Sequence, residues 1–208
     1  MSSVPGTGNF ARISAATIAL VAGGSILLQI ALNLSDGEGL GTMLWNLARY
    51  FTILTNLLTA ITFAMIAGGR RASPRWMLAL GAAMAGVGLV YHALLSHLLD
   101  QQGWEVVADQ GVHTVAPILT VLWFIAFVPS DGLRWRDAGL VVIWPVIYCL
   151  YALIRGIMTG AYPYPFIDAT TLTIAQMALN IAGLTAFFYA LGALLLGGIF
   201  LRERALSA

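Results

Sequence analysis

Lysine is absent from this chain of 208 residues, and ten arginines balance nine acids to a formal charge of +1. Charged residues make up only 9% of the sequence, so it has no basic field of the kind that holds nucleic acid, and no nucleic-acid partner is expected. Cysteine occurs once, as Cys149 inside an apolar run, which excludes an internal disulfide and a cysteine cluster for metal. Aspartate and glutamate are missing from the apolar runs. Internal repeats and heptads are missing too, as are the paired interrupted helices that mark many transporters.

What is present is apolar. Hydrophobic residues make up 60% of the chain and the mean hydropathy is +0.87, far outside the range of soluble domains. At about 20 residues per membrane span, six helices and short loops use nearly the whole length. The expected fold is therefore all-α and polytopic, one transmembrane domain over 1–208, with spans near 13–32, 44–67, 76–98, 112–128, 139–158 and 174–201. The first run is too long for a signal-peptide core and lacks a cleavage site, so it reads as a span. Arg12, Arg70, Arg71, Arg75, Arg134, Arg136, Arg202 and Arg204 fall at the termini and in alternate loops. Basic residues favour the cytoplasmic side, which predicts both termini inside. Three outer loops would lie around Asp36, Glu105 and Asp168.

Polarity collects in "RYFTILTNLL", where the second span should begin. At about 100° per residue, Arg49, Thr52, Asn56 and Thr59 share one helical face, opposite Leu54, Leu57, Leu58 and Ile61. An arginine or asparagine facing hydrocarbon costs several kcal/mol, so the stripe should face into the bundle. The same outer level holds His92 with Ser96 on span three, His113 at the start of span four, and Arg155 with Tyr151 and Tyr148 behind it on span five. Pro117 cannot donate to the carbonyl of His113, which predicts a bend there and a freed carbonyl in need of a partner. The outer loop "GAYPYPFIDA", with Tyr162, Tyr164 and Phe166 between prolines, reads either as an interfacial aromatic belt or as a lid over a polar cavity.

These residues limit the chemistry. His92 and His97 lie about 140° apart on a helix rather than stacked, and no carboxylate or thiolate accompanies them, so neither a metal site nor a cofactor is expected. Acyl transfer needs a hydroxyl, a base and oxyanion donors, and Thr52 and His113 have the types for the first two roles. Asn56 and Arg155 are candidate oxyanion or substrate-carboxylate donors, Arg49, His92, Tyr151 and Tyr164 candidate cavity residues, and Asp109, four before His113, a candidate to orient it. Against this, a membrane threonine commonly bonds its own helix carbonyl, and the two outer arginines have a plain reading as snorkelling side chains. A lipid-binding or transport protein without chemistry would use the same cavity.

With "RYFTILTNLL", "DQGVHTVAPIL" and "YPYPFID" in this order, the sequence resembles the family of the androgen-induced gene one protein and the androgen-dependent TFPI-regulating protein, most of all its bacterial six-span relatives. The resemblance implies an integral-membrane hydrolase of fatty-acyl esters, in the animal members fatty acid esters of hydroxy fatty acids. It also implies a threonine nucleophile at Thr52, a histidine base at His113, a lipid substrate and a bacterial plasma membrane, in which the arginine pattern puts the cavity toward the outer side. Thr55 stands where the animal members carry an acid, so that acid's role is not carried over.

Overall fold

The computed structural model describes residues 8–98 and 100–207; residues 1–7, 99 and 208 of the domain expected over 1–208 lie outside the described residues. Among the described residues every regular element is helical. In order they are α1 (Asn9–Ser35), α2 (Leu40–Leu47), α3 (Phe51–Ala67), α4 (Pro74–Val90), α5 (Trp104–Gln110), α6 (Ala116–Phe127), α7 (Ile143–Thr159) and α8 (Ile174–Ser207). A π-turn over Tyr91–Leu95 prolongs α4, and another over Gly111–Val115 joins α5 to α6. A 3-10 turn over Trp135–Val142 leads into α7.

Local chemistry sets several of the ends. Ser73 accepts from the Trp76 amide at 3.1 Å and Pro74 takes the first helical position, where a missing N–H leaves nothing unpaired. Gly160 closes α7 in the left-handed conformation at φ +70°, which a side chain would resist. Five helical stretches are long and apolar enough to cross a membrane, or six if α2 and α3 count as one bent pair. Part of α3 reverses the burial pattern of a soluble helix. Thr55, Asn56 and Thr59 are fully buried, whereas Leu57 and Ile61 on the same helix are 47% and 51% exposed. Polar groups turn inward and aliphatic ones outward, as hydrocarbon surroundings demand.

α1 packs along α3, and α4 lies between α6 and α8, with Phe63, Met77, Leu78, Phe124, Leu196 and Ile199 at the centre. One end of the bundle carries the arginines of the expected cytoplasmic loops. Arg12 donates to the Ala67 carbonyl at 3.0 Å, Arg75 pairs with Asp137 at 3.1 Å, and Arg202 donates to the Val128 carbonyl at 2.9 Å. Small residues bring helices close: a Cβ on Gly81 would touch Phe124 at 3.5 Å, and one on Gly88 would press on the His113 carbonyl at 3.2 Å.

The continuous helix expected over 44–67 is broken. α2 and α3 meet at 95° around residues 48–50. The exposed backbone at this break is satisfied by one face of α7. Tyr148 donates to the Arg49 carbonyl at 2.6 Å and Tyr151 to the Ala48 carbonyl at 2.9 Å. Arg155 donates to the Trp45 carbonyl and, at 2.7 Å, to the Tyr151 hydroxyl, with its guanidinium 3.9 Å from the Trp45 ring centroid. On the other side of the break, the Tyr164 hydroxyl accepts from the Phe51 amide at 3.1 Å. Replacing Arg155 with methionine keeps the bulk but strands the Trp45 carbonyl. Such a change should destabilise the fold by about 2 kcal/mol, seen as a lower unfolding temperature by circular dichroism in detergent; unchanged unfolding would show that the break is held by other contacts.

Candidate active site

The break places Thr52 in the first turn of α3. In an unbroken helix the Thr52 and Ile53 amides would bond the carbonyls of Ala48 and Arg49. Here those carbonyls accept from Tyr151 and Tyr148. The Thr52 side chain is also released from its usual internal partner, because the carbonyl four residues back is turned away. Its Oγ1 lies 3.1 Å from His113 Nε2.

His113 arrives from the π-turn between α5 and α6. Helix forms from Trp104 onward, upstream of the span start expected at 112, and this puts Asp109 on the same face as His113. Asp109 Oδ1 is 2.8 Å from His113 Nδ1. A carboxylate therefore does stand at the level of the polar stripe, though the sequence analysis found none within the spans. Tyr91 completes the arrangement, donating to Asp109 Oδ2 at 2.5 Å and lying flat on the imidazole with centroids 3.9 Å apart and planes 10° apart. Gln110 adds a longer contact to the same oxygen at 3.4 Å.

Hydrogen bonding fixes the protons. Asp109 accepts from Tyr91 and Gln110 and, as a carboxylate, offers no proton to imidazole. His113 Nδ1 is then a protonated nitrogen, and in the neutral ring Nε2 carries a lone pair to which the Thr52 hydroxyl donates. The order hydroxyl, imidazole, carboxylate, with the carboxylate on the far nitrogen, is the geometry that activates an alcohol for acyl transfer. The Asp109 side chain is only 3% exposed and that of His113 15%, so the relay is largely shielded from water.

Two cavities meet at Thr52. One, of about 50 Å³, is apolar and lies among Phe51, Val87, Leu95, Phe166, Ile167 and Phe188. The Phe188 ring rests on Gly86, where any Cβ would collide with it. The second, of about 420 Å³, opens outward past Tyr50, Gln29, Asn33 and Gln101, with Asp109 and His113 in its wall. Tyr164 and Leu95 border both. Burial pushes the Tyr164 phenol up to about 12, so its proton is retained across the physiological range. A separate groove of about 360 Å³ on the outer surface of α4 and α6 reaches the other side of His113 past Gly88, Pro117 and Ile118.

The remaining expected site residues lie elsewhere or are otherwise engaged. Arg49 is not on the α3 face with Thr52; it sits in the break and donates to Asn46, which in turn donates to Glu38 at 2.7 Å. Asn56 is on that face, but its amide group donates to the Thr52 carbonyl at 2.9 Å and the Val112 carbonyl at 3.0 Å, leaving no proton for an oxyanion. The Val112 carbonyl needs this donor because its partner five residues on, in the π register, is Pro117. The proline's effect was expected at His113 and is compensated one residue earlier. Arg155 and Tyr151 line neither cavity at Thr52, since both serve the α2 carbonyls. His92 borders the outer groove, 2.9 Å from Thr114 Oγ1. Thr114 gives its own proton to Gln110 at 2.7 Å, so His92 Nε2 is the donor. Tyr91 was missed because a tyrosine within an apolar run reads as packing. Its spacing from Asp109 in the sequence carries no helical signal.

Among the described residues no three of histidine, cysteine, aspartate and glutamate gather closely enough to hold a metal ion. Comparison with protein-family models, curated proteins and solved structures finds no match to this chain. The tautomer assignment can be tested directly, since the chain has only three histidines. In 15N-histidine-labelled protein, His113 should carry its proton on Nδ1, and Asp109→Asn should move a substantial fraction to Nε2. An Nε2-protonated His113 in the wild type would contradict the arrangement.

Proposed function

We propose that the chain is an integral-membrane hydrolase of fatty-acyl esters, with Thr52 as nucleophile, His113 as general base and Asp109 as the carboxylate that orients it. The observation that carries this reading is the unbroken series from Thr52 Oγ1 to His113 Nε2 at 3.1 Å and from Nδ1 to Asp109 Oδ1 at 2.8 Å, next to an apolar pocket. The motif resemblance to the family of the androgen-induced gene one protein supports the same threonine and histidine.

In this mechanism the acyl chain lies in the pocket under Phe188 and the ester carbonyl stands over Thr52. The Thr52 proton passes to His113 Nε2 as Oγ1 bonds to the carbonyl carbon, and Asp109 stabilises the resulting imidazolium. The oxyanion meets the Thr52 and Ile53 amides at the positive end of α3, with the Tyr164 hydroxyl as a further donor. Collapse breaks the ester bond, and the leaving alkoxide takes the proton from His113. Water, deprotonated by the same imidazole, then cleaves the acyl-threonine to release the fatty acid and restore Thr52. No step calls for a cofactor.

The groove beside His113 supplies a lateral route by which lipid reaches the site from the surrounding membrane. With six crossings, the arginine-bearing end faces the cytoplasm, both termini lie inside, and the site opens to the outer leaflet of a bacterial plasma membrane. Single cysteines at Gly103 and Ala161, in a Cys149→Ser background, should react with an impermeant maleimide on intact cells. Reaction only after permeabilisation would reverse the orientation.

Purified protein should be labelled covalently by a lipid-like fluorophosphonate and should cleave fatty-acyl esters. Both activities should vanish in Thr52→Ala and His113→Ala and fall by roughly three to four orders of magnitude in Asp109→Asn. A wild type that neither labels nor cleaves any fatty-acyl ester, yet binds lipid as well as Thr52→Ala does, is a lipid-binding protein, and the hydrolase reading fails.

A further inference from the structure

Thr52 separates two chambers of different character, and neither contains a positive charge. The apolar pocket is lined by aliphatic and aromatic residues apart from Thr52, Cys149 and two tyrosine hydroxyls. The cleft carries neutral hydrogen-bonding groups, Gln29 donating to Asn33 at 2.9 Å, Gln101 and the Tyr50 hydroxyl, and its one carboxylate is that of Asp109. The sequence has no lysine, all ten arginines lie among the described residues, and none of them lines the cleft. Arg49, beside the lining residue Tyr50, gives its guanidinium to Asn46, and Arg155 is spent on Trp45 and Tyr151. An anionic group in the leaving half of a substrate would face the Asp109 carboxylate with no counter-ion, in a site where low dielectric strengthens the repulsion.

Resting on the hydrolase reading, we infer that the substrate is an uncharged ester: one fatty-acyl chain in the apolar pocket, joined to a neutral hydroxyl-bearing alcohol, such as a monoacylglycerol, in the cleft. The side-chain amides of Gln29, Asn33 and Gln101 suit hydroxyl groups, giving and accepting hydrogen bonds without charge. Sites that grip carboxylates or phosphates use arginine or lysine for this purpose, and the cleft provides neither. This chemistry separates the chain from an enzyme adapted to acyl esters whose alcohol half carries a free carboxylate.

A matched pair of substrates tests the charge alone: the palmitoyl ester of a hydroxystearic acid as the free acid, and the same compound with that acid methylated. Full-length protein in neutral detergent should release palmitate from the methylated compound about tenfold faster or more, and should also cleave monopalmitoylglycerol. Asn33→Arg places a cation in the cleft and should raise the rate on the free acid relative to the methylated compound, a change that unequal micelle partitioning would not produce. Equal or faster cleavage of the free acid by the wild type overturns the inference and leaves the hydrolase intact. A selectivity that Asn33→Arg does not move also overturns it. Absence of cleavage of every ester together with absence of fluorophosphonate labelling sinks the hydrolase reading, and this inference with it.

Discussion

Everything at the Thr52 site depends on how the backbone is satisfied where α2 turns into α3. A helix end inside an apolar bundle leaves carbonyls that water cannot reach, and each unpaired group there costs several kcal/mol. The chain meets this demand with a polar face on a neighbouring helix. Tyr148, Tyr151 and Arg155 lie on one side of α7 and reach the Arg49, Ala48 and Trp45 carbonyls. The 95° turn is thus a fixed feature with its own donors, and it opens the first turn of α3 toward the cleft. Without those donors a continuous helix would be the cheaper solution, and the Thr52 and Ile53 amides would be consumed within it.

A second backbone irregularity faces the first. The π-turn over Gly111–Val115 shifts the register ahead of Pro117 and turns His113 toward Thr52. Its cost is the Val112 carbonyl, which Asn56 satisfies from α3. Gly88 allows α4 to approach the His113 backbone closely, and the π-turn at Tyr91–Leu95 sits where the Tyr91 ring can cover the imidazole. Asn56 thereby ties the threonine-bearing and histidine-bearing helices together one turn below the reacting atoms. Breaks and π-turns in helices concentrate where side chains must be aimed rather than merely packed.

The sequence made the helical class legible through long apolar runs, and it made Thr52 and His113 legible as polar groups at one level of separate helices. Asp109 was readable as four residues before His113. The roles of the flanking residues were not, for one physical reason: the reading took 44–67 as a single helix. "NLARYFT" contains neither glycine nor proline, so no local signal announces a break that hydrogen bonds from a distant helix stabilise. Once the helix is broken, Arg49 leaves the stripe, and Arg155 and Tyr151 become its supports. Asn56 was placed on the right face, but its amide serves backbone, because the proline on the facing helix creates a need that no helical-wheel argument contains.

The same break explains why a threonine can stand in this position at all. In a helix interior, a threonine hydroxyl is drawn to the carbonyl three or four residues back, and its branched Cβ leaves few rotamers. Thr59 shows this behaviour, donating to the Thr55 carbonyl at 2.8 Å. Thr52 has no such outlet: the Ala48 carbonyl lies across the turn and accepts from Tyr151. Its hydroxyl goes to His113 instead, and the restricted rotamer of a β-branched residue then favours precision, since few alternative positions compete for the oxygen. Asp109, buried with Tyr91 and His113 as donors, holds the far nitrogen of the ring. The stripe that a continuous helix would have spent on its own carbonyls is thereby divided, with Thr59 bonding inward in the ordinary way and Thr52 freed by the turn to face another helix.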